Sequence, residues 1–477
     1  MFSDVKNKRI FEYFKELSEI PHGSGNMEAI SDYCMDFARA HSLEAYKDEA
    51  CNVIICKKAS EGCEAAEPII LQGHLDMVCQ KDHDVSFDFE KDSLKIYRDG
   101  DFLKAEGTTL GADNGIAVAM VLAVLADDSL KHPPIEAVFT TDEEIGMVGA
   151  LKLDFKKLKA KRMINIDSED AKKVTVSCAG GSDFFVSIPI LREKAEGEAV
   201  ELCIKGLKGG HSGVEINSNR ANANILMGRI LSALDNAAGI KIVSINGGDK
   251  GNAIPVSCTA KLIVRDKDSF QKALDECGRE IAKEIKDSEK LIIEAEYSEG
   301  MAAEEVIAPD AAQKLIHILL RTPNGVIKMS DEIEGLVETS LNLGIVKTEK
   351  ALVNMLFTLR SNKSHSLSEL ERNMEEFFGV VPCNITKSGH YPPWEYKKDS
   401  RLRELYIKEY AQKIGYAPEP EAIHAGLECG VFAAAIEGFD CISIGPEMYD
   451  IHTTRERLSI SSTEKIYEVV AGVLEKL

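Results

Sequence analysis

The segment 115–126, GIAVAMVLAVLA, is apolar nearly all the way round, and it constrains the fold more than any other stretch. A helix lying on an aqueous surface keeps one polar face; this one has none and has to be enclosed on every side. It is too short to cross a bilayer, which takes roughly 18–20 apolar residues, and no other stretch approaches that length. Its expected place is the interior of a domain, pressed against a sheet.

The flanking sequence supplies that sheet. "NVIICKK" is β-branched, "EPIILQGH" is continuously apolar and "DFLKAEG" alternates; downstream, "IEAVFTTDEE" and "RMINIDSED" read as strands with a short basic helix between them. Ahead of these, Ile10, Phe11, Phe14 and Leu17, and then, after the turn Pro21-His22-Gly23-Ser24-Gly25, Met27, Ile30, Tyr33, Cys34 and Phe37 recur at helical spacing and predict two amphipathic helices. Strands alternating with helices build an α/β domain with a parallel or mixed sheet and helices on both faces.

At 477 residues the chain exceeds the size at which single hydrophobic cores stop growing. Near residue 180 the style changes to alternating strands such as "VSIPI" and "AVELCIKG", then a helix around 219–235. The first style returns at "CISIGPEMYD" and closes with "STEKIYEVVAGVLEKL". The expected organisation is a mixed-sheet α/β domain of residues 1–180 and 394–477, interrupted by an inserted α+β domain of residues 181–393. Ala179-Gly180-Gly181-Ser182 and Pro392-Pro393 read as the linkers. The insert holds two rounds of strands with helices, as an internally doubled domain would.

A net charge of -22 argues against a nucleic-acid partner, which needs a basic face. The start, Met1 to Arg9, mixes charges and runs into Ile10-Phe11-Glu12-Tyr13-Phe14, so it does not read as a signal peptide. The expected location is cytoplasmic, without a membrane partner. The twelve cysteines then read as reduced thiols in cores, with no Cys-x-x-Cys pair among them.

Polar, titratable groups gather at strand and turn ends. His74 and Asp76 in "QGHLDMV" share one side of a strand end, because side chains at i and i+2 share a face. In open α/β sheets ligands bind at the carboxyl ends of strands. "LGADNG" places Asp113 between glycines just before the buried helix; "TTDEEIG" places Glu143 and Glu144 side by side; "NIDSED" places Asp167 at a strand terminus; "YDIHTTRE" places His452 after a late strand. Each alone is an ordinary hydrogen-bonding or solvated group. Together, carboxylates converging on one sheet edge would repel one another and resist ionising unless cations neutralise them. Two divalent metals meet that demand. Two imidazoles with carboxylates favour zinc, and manganese and cobalt suit the same donors. A two-metal site needs a shared ligand, and Asp113, held by glycines, is the expected bridge.

On "GHLDMV", "LGADNG", "TTDEEIGMVGA", "NIDSED", "CAGG", "GGHSG", "GNAIP", "HAGLECG" and the late "GP…H", the chain resembles the dinuclear-zinc metallopeptidases that include aminoacylases and carboxypeptidases. More closely, it is similar to the aminoacyl-histidine (Xaa-His) dipeptidases. The resemblance runs over essentially the whole length. It implies that His74, Asp113 and Asp167 hold one metal and Asp113, Glu144 and His452 the other, with Asp76 orienting His74 and Glu143 as general base. It also implies that His211 in "KGGHSGVEI" sits over the scissile carbonyl, and that Arg360 in "FTLRSN", Asn252 in "GNAIP" and Gly426 in "HAGLECG" bind the substrate backbone and its carboxylate. The insert would act as a lid, with His211 supplied in its own chain or across a homodimer. The chain departs from the pattern at His452-Thr453-Thr454-Arg455-Glu456, where relatives often carry His-Ser-Pro-x-Glu.

The implied activity is metal-dependent hydrolysis of dipeptides. The rival readings are an aminoacylase or carboxypeptidase acting on N-acyl amino acids and a metal-binding protein without turnover. A nucleotide-binding protein lacks its G-x-G-x-x-G after a strand.

Overall fold

The structure, a computed structural model, describes residues 1–285 and 289–477. The chain forms two compact units: Met1–Cys178 with Trp394–Ala422 and Leu427–Leu477, and Ala179–Pro393 with Ile423–Gly426.

The first unit is built on an eight-stranded sheet. In spatial order its strands are Glu44–Lys47, Val53–Lys57, Ile135–Thr140, Ile69–His74, Arg162–Asn165, Asp440–Ser443, Lys173–Cys178 and Glu419–Ile423. The central four run parallel, in register Ile69↔Ile135, Ile70↔Met163 and Cys441↔Met163, so their carboxyl ends meet along one edge. Both faces are covered. Ile69, Leu71, Ala137 and Phe139 enter the main core, while the alternate positions Ile70, Val138 and Met163 are buried on the opposite face. That two-sided burial is why these strands read as unbroken apolar runs.

The apolar segment forms the helix Ala112–Leu125, which packs on Ile69–His74 and on the helix Lys8–Ser18 and is buried along nearly its whole circumference. Gly73 permits the close approach: a Cβ there would lie 2.8 Å from the Ala117 Cβ and 2.5 Å from the Asn114 Oδ1. The segment "DFLKAEG" leaves the main sheet. Its strand Phe102–Ala105 joins a separate antiparallel sheet with Ile96–Asp99, Met448–Tyr449 and Arg457–Ser459. This second sheet carries the turn that presents His452.

In the second unit the strands Ile292–Ile307, Arg192–Lys205, Cys258–Val264, Lys241–Gly247, Val337–Thr348, Leu352–Ser361, Gly180–Pro189 and Asn384–Tyr391 follow one another across an antiparallel sheet, and Gly325–Met329 pairs with Val337–Thr348. The helices Ala223–Ala238, Lys267–Glu284, Pro309–Arg321 and Ser364–Phe378 bury their apolar stripes in this unit's own core. Gly180 and Gly181 are not a flexible linker. They begin a strand, and a Cβ on either would meet Pro393 or Tyr391 at 2.5 Å, so glycine is present here for close packing.

Candidate metal centre and a second polar cluster

The carboxyl edge of the parallel strands brings together every group of the first unit that the sequence singled out. His74 ends its strand, is 2 % exposed, and places Nε2 3.3 Å from Asp113 Oδ1 and 3.5 Å from Asp167 Oδ1. His452 places Nε2 3.1 Å from Asp113 Oδ2 and 2.8 Å from Glu144 Oε1. One carboxylate therefore faces both imidazoles, a separate oxygen to each. Among the described residues three groups could hold a metal ion: His74/Asp113/Asp167 and Asp113/Glu144/His452, which share Asp113, and His74/Glu143/Glu144.

The donor set fits that purpose. Around a tetrahedral ion with bonds of about 2.0–2.1 Å, neighbouring ligand atoms lie roughly 3.3 Å apart, close to the spacing of His74, Asp113 and Asp167. His74 Nδ1 is 2.9 Å from the Asp76 carbonyl oxygen. A proton on Nδ1 donates to that oxygen and leaves the Nε2 lone pair facing the carboxylates.

The orienting contact expected from the Asp76 carboxylate is thus made at closest range by the Asp76 backbone, with Oδ1 at 3.5 Å. The carboxylate has another task. It accepts from the backbone N–H of Glu143 at 2.9 Å and of Glu144 at 3.2 Å, and from the Ser24 hydroxyl at 2.8 Å. Burial opposes its ionisation, but the His74 ring and these donors hold it down at about 2. Asp76 is therefore an anion that fixes the Glu143–Glu144 turn. Glu143 is pushed well above the ordinary carboxyl value, first by burial and then by the nearby carboxylates Asp167, Glu428 and Glu144, against the lowering effect of His74. A group tuned upward in this way suits proton transfer near neutral pH.

Three buried groups to which sequence reading gave no role complete the frame. Asn114, fully buried, accepts from the His74 N–H at 3.1 Å and donates to the Ile166 carbonyl at 2.7 Å, tying together the chain segments that carry His74 and Asp167. Glu456, 3 % exposed, accepts from the N–H groups of Leu110, Gly111, Ala112 and Asp113 at 2.7, 3.1, 2.8 and 3.3 Å. It locks the loop that carries Asp113 to the turn of His452. Glu428, from "HAGLECG", is fully buried beneath the strand ends. Replacing Glu456 by alanine should weaken metal binding by roughly 10–100-fold, the usual effect of losing a group that orients ligands. Metal content measured against a chelator series checks this; unaltered affinity would show that the loop holds its shape unaided.

The second unit has its own polar cluster. His211 lies on the short strand Gly210–His211, which pairs with Ala253–Ile254. Asn252 is adjacent, its carbonyl accepting from the Ser212 N–H at 2.9 Å. His211 Nδ1 accepts from the N–H groups of Gly213 and Val214 at 3.2 and 3.3 Å. Burial and the Arg360 charge lower the ring to about 4. At neutral pH it is therefore an uncharged imidazole whose single N–H sits on Nε2.

Arg360 is 7 % exposed. It donates from Nη1 to the Tyr391 hydroxyl at 2.8 Å, and its Nε is buried without a hydrogen-bond partner. A buried guanidinium in this condition is a ready receptor for a carboxylate. Gly426 closes the segment Ile423–Gly426 of this unit.

His424, also given no role by sequence reading, is 5 % exposed and spans Ser340 Oγ at 2.7 Å and Asn362 Oδ1 at 3.0 Å. Burial, Arg360 and His211 depress it from its ordinary 6.5 to about 3. A base whose pKa falls on folding takes up protons preferentially in the unfolded chain, so stability is full above pH 6.5 and drains as pH falls toward 3. Between pH 7 and 4.5 this group should cost about 2 kcal/mol. The shift in urea midpoint over that range should shrink in His424→Gln; an equal shift in both proteins would rule the ring out as its source.

Comparison with known proteins defines the class. Residues 70–476 match Peptidase family M20/M25/M40, and the chain belongs to that family of peptide hydrolases. It is 35% identical to the cytosol non-specific dipeptidase of Escherichia coli (strain K12), over 100% of this chain and 99% of that protein. The crystal structure of aminoacylhistidine dipeptidase from Vibrio alginolyticus superposes with a TM-score of 0.91 at 35% identity, over 100% of this chain and 98% of that one. An aminopeptidase from Bacillus cereus, 16% identical, shares the fold with a TM-score of 0.59, over 99% of each chain. No helix among the described residues is long and apolar enough to cross a membrane.

Proposed function

We propose that this protein is a cytosolic dipeptidase that hydrolyses dipeptides, of Xaa-His type or broadly, with two divalent metal ions that His74, Asp113, Glu144, Asp167 and His452 would hold. The observation that carries the reading is the Asp113 carboxylate facing His74 with one oxygen and His452 with the other. The dipeptidase names of the two full-length relatives support the substrate class. Imidazole and carboxylate donors favour zinc, with manganese and cobalt as functional substitutes. When bound, the ions would supply an acidified water and a Lewis acid for the scissile carbonyl.

The remaining chemistry belongs to side chains of the chain itself. Glu143, raised by burial, takes the proton of the attacking water and returns it to the leaving amine. Asp76 holds Glu143 in place through its backbone N–H. His211, a neutral donor at Nε2, stabilises charge developing on the carbonyl oxygen. Arg360 pairs with the C-terminal carboxylate, for which its unpartnered Nε is suited. Asn252 and Gly426 bind the substrate backbone. A clamp on the free carboxylate limits substrates to short peptides, and the inserted unit serves as a lid.

Enzyme stripped of metal and reloaded with zinc, manganese or cobalt should regain activity on dipeptides and leave N-acyl amino acids largely uncleaved. Preference for N-acyl amino acids would make the protein an aminoacylase or carboxypeptidase. A metal-replete preparation inert toward both classes would overturn catalysis altogether.

A further inference from the structure

The motif "HAGLECG" contributes a second residue that the proposed chemistry leaves unused. Glu428 opens the helix Glu428–Ala435 and is fully buried. Its Oε2 accepts from Gln72 Nε2 at 2.5 Å and from the Thr140 hydroxyl at 2.6 Å, while its Oε1 is buried without a partner. Gln72 Nε2 also lies 3.1 Å from Thr140 Oγ1, and Gln72 Oε1 accepts from Asn165 Nδ2 at 2.5 Å. All three partners are fully buried.

The chain of bonds has one direction. Asn165 donates to Gln72, Gln72 donates to Glu428, and Thr140 donates to Glu428, so the carboxylate is the terminal acceptor that fixes which way two amide groups point. The position of the chain matters as much. Gln72 is two residues before His74, Asn165 is two before Asp167, and Thr140 ends the strand that leads into Glu143 and Glu144. Residues two apart on a strand share a face; Gln72 and Asn165 pair in register one step below the candidate ligands and Thr140 pairs with His74 itself, so the network runs beneath and beside those ligands across three adjacent parallel strands.

We propose that Glu428 is a positioning residue of the metal centre, acting as the hydrogen-bond acceptor that, through Gln72, Thr140 and Asn165, sets the strand ends bearing His74, Asp167 and the Glu143–Glu144 turn. The inference rests on the two-metal reading above. Glu428 bonds to Gln72 and Thr140 and to none of the candidate ligands; its effect passes through the three polar side chains it orders. An acceptor oxygen at this place is required, and a full negative charge is not.

The test uses cobalt-loaded full-length protein, whose visible absorption reports ligand geometry independently of turnover. Glu428→Gln keeps an oxygen facing both donors and should retain the wild-type spectrum, with kcat within about twofold. Glu428→Met, similar in size but without a strong acceptor, should shift the cobalt bands and lower kcat by roughly 10–100-fold, with KM little changed. Thr140→Val removes one donor while leaving the carboxylate, and should shift the bands by a smaller amount; it decides the matter if the Met variant does not fold. Spectra unchanged in both Met and Val variants would overturn the proposal, as would a Gln variant as impaired as Met. Wild-type protein that binds no cobalt would instead defeat the underlying metal reading, so the two failures are distinguishable.

Discussion

Glu143→Ala is expected to retain both metal equivalents and lose kcat by roughly 10²–10⁴-fold, the range for removal of a positioned general base. The separation of binding from turnover follows from the geometry. Asp113, Glu144 and His452 form one triad and His74, Asp113 and Asp167 another; Glu143 enters only a third group, with His74 and Glu144, both of which already belong to the other two, and the turn that carries it is held by the Asp76 carboxylate through backbone N–H groups. Metal analysis beside steady-state kinetics checks it. Undiminished hydrolysis by the alanine variant would remove the general-base role; loss of metal with activity would make Glu143 a ligand.

For His211→Ala the expected loss is roughly 10²–10³-fold in kcat, the cost of one oxyanion donor, with metal content unchanged because the residue belongs to the other unit. The protonation state makes the claim specific. Nδ1 is occupied as an acceptor from Gly213 and Val214, and the ring titrates near 4, so at neutral pH Nε2 offers one proton and no charge. His211→Asn, which can place an N–H in similar space, should recover part of the loss. A normal kcat in the alanine variant would exclude a catalytic part for this histidine.

The frame around the centre shows how far local pattern reaches. The stretches around His74, Asp167 and Glu143 are legible because a buried parallel strand is a run of apolar residues, and a titratable group where such a run stops is conspicuous. Asn114 and Glu456 are not legible in this way. In "LGADNG" the eye falls on the aspartate, yet the buried asparagine beside it joins two strands; the closest backbone partner of Glu456, the Leu110 N–H, is 346 residues away in sequence. A glutamate in a polar loop reads as solvated until the fold buries it. The Gly180–Gly181 pair misleads for a related reason: composition marks glycine as flexible, whereas here it makes room for Tyr391 and Pro393.

Hydrophobic periodicity by itself determined the enclosed helix, the buried strands, the edge at which polar groups had to collect and, with the motifs, the class of chemistry. Only tertiary structure decided that Asp113 turns one oxygen to each histidine, that the Asp76 carboxylate faces the Glu143–Glu144 turn as well as the His74 ring, and that Glu428 lies under the candidate ligands. The physical reason is that side-chain periodicity records which face a residue occupies, while partners are chosen by strand register and by loops that return from hundreds of residues away.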